Sequence, residues 1–193
     1  MKFRNTTSLD SNRLEQMLRR HAEPWPHDRL SVSVRYSRGA DFSGTCYYGK
    51  HQIYINIGRH VQYPYAIRTH IARAQSNRHY WWKDIYSVEV SDGCELALFV
   101  FLHEYFHWLI KRARRNTRQK ESMCDRFAAR VLVDVYGAVV RGESGEPVPR
   151  EDWDFQDLDR FVAAAMPKRR VGKAARTVIH LPPGRQLELD FPR

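Results

Sequence analysis

The sequence predicts an α+β domain on three observations. Two segments, Leu30 to Tyr36 and Ile53 to Ile57, alternate apolar and polar residues with the period of a half-buried strand. A run from Leu96 to Ile110 is apolar nearly all round, and a second long amphipathic pattern ends at Tyr136. With 193 residues the chain suits one domain with a real core, burying about 70% of its unfolded surface. A hydrophobic content of 42% and an aromatic content of 12% exclude a wholly disordered protein, and no internal repeat is visible.

The elements follow in order. Ser8 to His21 places Leu9, Leu14, Met17 and Leu18 near helical spacing, and Pro24 and Pro26 stop the helix. Leu30, Val32, Val34 and Tyr36 form one strand, and Ile53, Ile55 and Ile57 another. Gly49-Lys50, after Cys46-Tyr47-Tyr48, is a turn between two strand segments. Pro64 stands at a favourable first helical position, so a helix is expected there, burying Ile67 and Ile71 before Gln75-Ser76-Asn77. Tyr80 to Val90 is aromatic and β-branched and reads as strand or irregular structure.

Asp92 and Glu95 have capping-box spacing just before Leu96 to Ile110. A helix apolar nearly all round must run through the middle of the domain, so its few polar groups are buried and need partners. Lys111 to Thr117 returns the chain to solvent. A second helix runs from about Arg118 to Tyr136 with Phe127, Val131, Leu132 and Val135 on its core face, ending at Gly137. Arg141 to Pro149 reads as a linker, and Asp152 to Met166 as an amphipathic helix. The domain is therefore expected to span residues 1–166. Residues 167–193, with seven Lys or Arg against two acids and four prolines, read as an extended basic tail.

Charge and cysteines narrow the setting. The formal net charge of +10 draws a protein towards nucleic acid or another polyanion, and non-specific DNA contact through basic segments is one expectation. The run Lys111 to Lys120, with six Lys or Arg, is compatible with it. Cys46, Cys94 and Cys124 are an odd number without a CxxC pair, which argues against a disulfide framework and for a reducing compartment. The N-terminal residues lack an apolar signal-peptide core, and the apolar run Leu96 to Leu102 is too short for a membrane span. A cytoplasmic protein without membrane contact is the expectation.

His103-Glu104-Tyr105-Phe106-His107 is the motif with chemical content. Residues four apart on a helix are separated by about 6 Å along its axis and share one face, so both imidazoles can take corners of a Zn²⁺ tetrahedron. Glu104 then sits beside the metal without needing to ligate it. Glu121 lies fourteen residues after His107, enough for the chain to turn and return alongside, and is the candidate third ligand. Asp125 shares its helical face and can accept a hydrogen bond from a ligand imidazole.

HEYFH followed by ExxxD resembles the gluzincin metallopeptidases, and ESMCDRFA is similar to the E-x-x-A-[DN]-x-F-A signature of ImmA/IrrE-type metallopeptidases, with Cys124 where that family usually has Ala. The resemblance covers about Ile53 to Tyr136. It implies a zincin-like fold, with a small mixed sheet behind the active helix and a second ligand-bearing helix. It also implies one catalytic Zn²⁺ on His103, His107 and Glu121, with Glu104 as general base. SprT-like proteases share HExxH but take a third His downstream, and here the only later one is His180. An oxyanion-stabilising group is expected among His51, His60, Tyr63 and His79. The strand Ile53 to Ile57 is either an edge on which a peptide substrate lies or a plain core strand.

Gln186-Leu187-Glu188-Leu189-Asp190-Phe191 resembles the bacterial sliding-clamp-binding hexapeptide QLxLxF. Leu187, Leu189 and Phe191 can fill apolar pockets while Gln186 makes a directional hydrogen bond; otherwise the segment is a terminal strand. Two functions stand: a zinc-dependent metallopeptidase acting on protein substrates, DNA-associated proteins or regulators among them, and a DNA- or clamp-binding adaptor whose zinc site is structural or vestigial.

Overall fold

A computed structural model of the chain describes residues 1–165 apart from 117 and 119, with only the backbone at 164 and 165. In chain order the elements are β1 (Lys2–Asn5), α1 (Ser11–Ala22), β2 (Ser31–Tyr36), β3 (Phe42–Tyr47), β4 (Gln52–Ile57), β5 (Tyr65–Thr69), β6 (Gln75–Ser76), β7 (Trp81–Trp82), β8 (Tyr86–Val90), α2 (Gly93–Arg112), α3 (Glu121–Tyr136), β9 (Val139–Arg141), α4 (Arg150–Trp153) and α5 (Leu158–Ala165). The class is α+β, as the patterning predicts.

Helix α2 organises everything else, because sixteen of its twenty residues are buried. Asp92 caps it, accepting from the backbone N–H groups of Cys94 and Glu95. Glu95 reaches back to the N–H of Ser91, so three backbone donors at this end are satisfied by two acids. A four-stranded mixed sheet of order β1-β2-β4-β3 packs on it, with β1, β2 and β4 parallel and β3 antiparallel at one edge. The inward residues Val32, Val34, Ile53, Ile55 and Ile57 join Leu14, Leu18 and the apolar residues of α2 in one core. A second sheet, β5-β8-β9, and a short ribbon, β6-β7, lie between β4 and α2 or after α3 in the chain. Among the described residues no helix is long and apolar enough to cross a membrane.

Several sequence expectations need correction. Pro64 opens a strand rather than a helix. In β5, Ile67 and Thr69 point in while Ala66 and Arg68 point out, and the segment pairs antiparallel with β8 from Tyr65↔Val90 to Thr69↔Tyr86. Ile67 and Ile71, four apart, fit a period of two as well as one of 3.6, and the β-branched residues between Tyr65 and Ile71 favour the strand. The strand Ile53 to Ile57 is central, between β2 and β3, so the edge strands of this sheet are β1 and β3. The second long helix begins at Glu121 rather than near Arg118, and Val135 is 40% exposed instead of facing the core. The expected helix from Asp152 to Met166 is two helices, α4 and α5, and the expected linker holds the end of β9 and a bridge between Arg141 and Pro147. Residues 167–193, including the hexapeptide of Gln186, Leu187, Leu189 and Phe191, lie outside the described residues.

Candidate metal centre

His103 and His107 project from one face of α2 with ring centroids 4.9 Å apart. The first turn of α3 lies across them. Nε2 of His103 is 3.1 Å from one carboxylate oxygen of Glu121, and Nε2 of His107 is 3.2 Å from the other. The predicted partner of Glu121 is also in place: Asp125, one turn on and only 6% exposed, lies with Oδ1 2.8 Å from Nδ1 of His103. Its other oxygen accepts from the backbone N–H of His70 at 2.8 Å, just past β5. Four residues named from spacing therefore meet at one point.

This arrangement suits a cation. With the Nδ1–H of His103 donated to Asp125, its Nε2 presents a lone pair to a carboxylate oxygen 3.1 Å away, and two acceptors at that separation need a positive charge between them. A proton is one answer. Burial opposes the charged ring, but hydrogen bonds to Asp125 and Glu121 and the field of Asp125 and Glu104 outweigh it, raising His103 to about 10. The hydrogen bond to His103 holds Glu121 down at about 2, against its partial burial. Burial, together with repulsion from His103, depresses His107. A divalent ion is the other answer, and the donor set, two imidazoles and a carboxylate on an orienting second carboxylate, is one that zinc accepts.

Sequence reasoning passed over one member of the cluster. Cys124, fully buried on α3, has its Sγ within 4.8 Å of ligating nitrogens of both His103 and His107, which also lie within 4.8 Å of one another. Burial and the neighbouring Glu121 and Asp125 push its thiol well up, so it is neutral without a metal. The signal was the Cys between Glu121 and Asp125 at a position where the resembled family has Ala. It is a soft donor close to both rings, so His103, His107 and Cys124 form a second donor set beside His103, His107 and Glu121.

Glu104 stands next to the cluster, and burial raises its carboxyl above the usual range, countered by His103 and a backbone hydrogen bond with Cys46. The edge strand β3 runs close over it. A Cβ on Gly44 would come within 2.4 Å of Glu104 Oε1, so glycine permits this approach. Phe42, Gly44, Phe99, Val100, His103 and Glu104 enclose a recess of about 110 Å³, apolar on one side and carrying the carboxylate on the other. The four expected oxyanion candidates have other settings. His51 packs edge-on to Trp108, Tyr63 lies beside Gly93, His60 lines a recess with Arg38 and Asp41, and His79 sits in the β6-β7 turn.

Comparison of the chain with protein-family models, with curated proteins and with solved structures found no match. The functional reading rests on the residues themselves.

Proposed function

We propose that the chain is a zinc-dependent metallopeptidase cleaving protein substrates, with His103, His107 and Glu121 as metal ligands and Glu104 as general base. The observation that carries this reading is the meeting of both Nε2 atoms at one carboxylate, with Asp125 fixing His103 behind it. When bound, zinc in such a site lowers the pKa of a coordinated water towards ~7 and polarises a carbonyl. Asp125 holds His103 in the tautomer that leaves Nε2 free to ligate. Glu104, its affinity for a proton raised by burial, accepts one from the attacking water and returns it to the leaving amine. Phe42, Phe99 and Val100 supply the apolar lining of the recess beside it. The net charge of +10 favours substrates at or near nucleic acid, and the hexapeptide Gln186 to Phe191 would add recruitment to a sliding clamp.

A second reading, a DNA- or clamp-binding adaptor with a structural zinc, draws on Cys124. His103, His107 and Cys124 are three clustered donors, and Glu121, which lies against both rings, would make a fourth and leave no position for water. Glu104→Gln separates the two. In the metallopeptidase it keeps stoichiometric zinc and the wild-type melting temperature but loses hydrolysis of an unfolded protein substrate by about 10²-fold or more. Wild-type protein that holds no zinc after metal reconstitution, or a Glu104→Gln variant as active as wild type, overturns the proposal.

A further inference from the structure

Outside the metal centre, exposed apolar side chains concentrate in one place. Tyr80, Trp81 and Ile85 are 62%, 72% and 45% exposed, and Trp82 is 36% exposed. They belong to the ribbon β6-β7 and the residues just after it, where Gln75 pairs with Trp82 and Ser76 with Trp81. The turn between the strands is built to hold its shape. Asn77 Oδ1 accepts from the N–H groups of His79 and Tyr80 at 2.8 and 3.0 Å, and the N–H of Asn77 donates to the carbonyl of Tyr80 at 2.9 Å. Tyr80 and Trp82 share a face, rings 5.5 Å apart and tilted, while Trp81 points from the opposite one. Contiguous exposed aromatic surface of this kind marks an interaction site.

The charges within this stretch of chain are mainly basic, while Asp84 and Ile85 share a recess with Glu143 and Glu146. Between residues 68 and 85 stand Arg68, Arg73, Arg78 and Lys83 against the single acid Asp84, whose carboxylate already accepts from Gln75. Lys83 donates to Ser122 Oγ at 2.7 Å, tying the ribbon to the start of α3 and so to the end of the basic run 111–120. We propose that the β6-β7 ribbon is a docking platform for single-stranded nucleic acid, with bases stacking on Trp81 and on the Tyr80-Trp82 pair while Arg78 and the basic run meet phosphates. Charge selects a polyanion. Flat, exposed rings select one with exposed bases, because a duplex hides its base faces and an acidic peptide has none. The Lys83-Ser122 bond places the strand beside Glu121, so the platform would deliver material held on nucleic acid to the metal centre. The proposal itself requires no metal.

The test measures anisotropy of labelled oligo-dT, oligo-rU and a duplex of equal length with the full chain, across a salt series. Trp81→Lys is the decisive variant: stacking demands at least a tenfold loss for a single strand, whereas pure charge attraction demands a gain from the added cation. Duplex binding by the same variant should not weaken, and Trp81→Phe should retain most single-strand affinity. Arg78→Glu should weaken all three probes and flatten the salt dependence. Trp81 is exposed, so its variants should melt with the wild type, and stripping the metal should leave single-strand binding unchanged. A preference between oligo-dT and oligo-rU tells DNA from RNA. Unchanged or stronger single-strand binding by Trp81→Lys overturns the proposal. So does an aromatic-dependent affinity for anionic vesicles or for a second copy of the chain in place of the oligomers.

Discussion

Replacing Asp125 by Asn tests the metal centre without any knowledge of the substrate. The carboxylate is 6% exposed and makes two contacts at 2.8 Å, one from Nδ1 of His103 and one from the N–H of His70. An amide has one acceptor oxygen. If that oxygen keeps His70, the amide NH₂ faces Nδ1, and His103 must carry its proton on Nε2, where no lone pair remains for a metal. If the oxygen keeps His103, two donors face each other at His70, a loss of about 1–3 kcal/mol in folding. Removing the partner of a ligating imidazole costs about 10–100-fold in metal affinity, or about 1.4–2.7 kcal/mol. Zinc affinity measured by competition with a chromophoric chelator, alongside melting of the metal-stripped protein, reports both routes. Zinc affinity within twofold of wild type, with an unaltered melting temperature, would refute the claim that Asp125 orients His103.

Three further expectations concern the same region. In the cobalt-substituted protein a thiolate-to-metal charge-transfer band that vanishes in Cys124→Ser shows sulfur in the donor set, and its absence in wild type leaves His103, His107 and Glu121 as the ligands; Glu121→Ala should lower cobalt content in either case. Gly44→Ala would put a methyl group 2.4 Å from Glu104 Oε1, so the carboxylate must move by about 1 Å, and hydrolysis should fall about 10²-fold with zinc content and melting temperature nearly unchanged; full activity would show that Glu104 has slack. In the metal-stripped protein His103 is raised from 6.5 to about 10, so its contribution to stability is complete below pH 6.5 and disappears as the pH climbs through about 10; a melting temperature that does not decline across that window, or that declines equally with saturating zinc, counts against the assigned proton.

The residues that carried a strong local reason were legible in the sequence. Asp92 before an all-apolar run forecast the start and depth of α2, and the four-residue spacings of His103 with His107 and Glu121 with Asp125 forecast which side chains meet. What could not be read was pairing between distant segments. Nothing in Tyr65 to Ile71 announces that β8 will lie beside it, so a proline suited to a helix start outweighed an equally valid strand pattern. The strand from Ile53 to Ile57 has the alternation of any half-buried strand, and only the neighbours chosen by β2 and β3 make it central. Cys124 escaped because its relevance depends on its height above two rings of another helix. Gly44 escaped because the carboxylate that needs its missing side chain is sixty residues away in the chain.

The two helices that frame the centre are secured very unequally, and this bears on how an ion would come and go. His103 and His107 stand on a helix capped by Asp92 and sunk in the core, whose amides should exchange with solvent only when the whole domain opens. Glu121 is the first residue of α3, its side chain 59% exposed, and Lys120 before it supplies no side-chain cap. Fraying of that single turn swings Glu121 outward while Asp125, one turn deeper, keeps its hold on His103. Metal exchange would then proceed through a small local opening at the start of α3, at a rate set by that turn and largely independent of global unfolding. A capping Ser or Asp at position 120 should slow it.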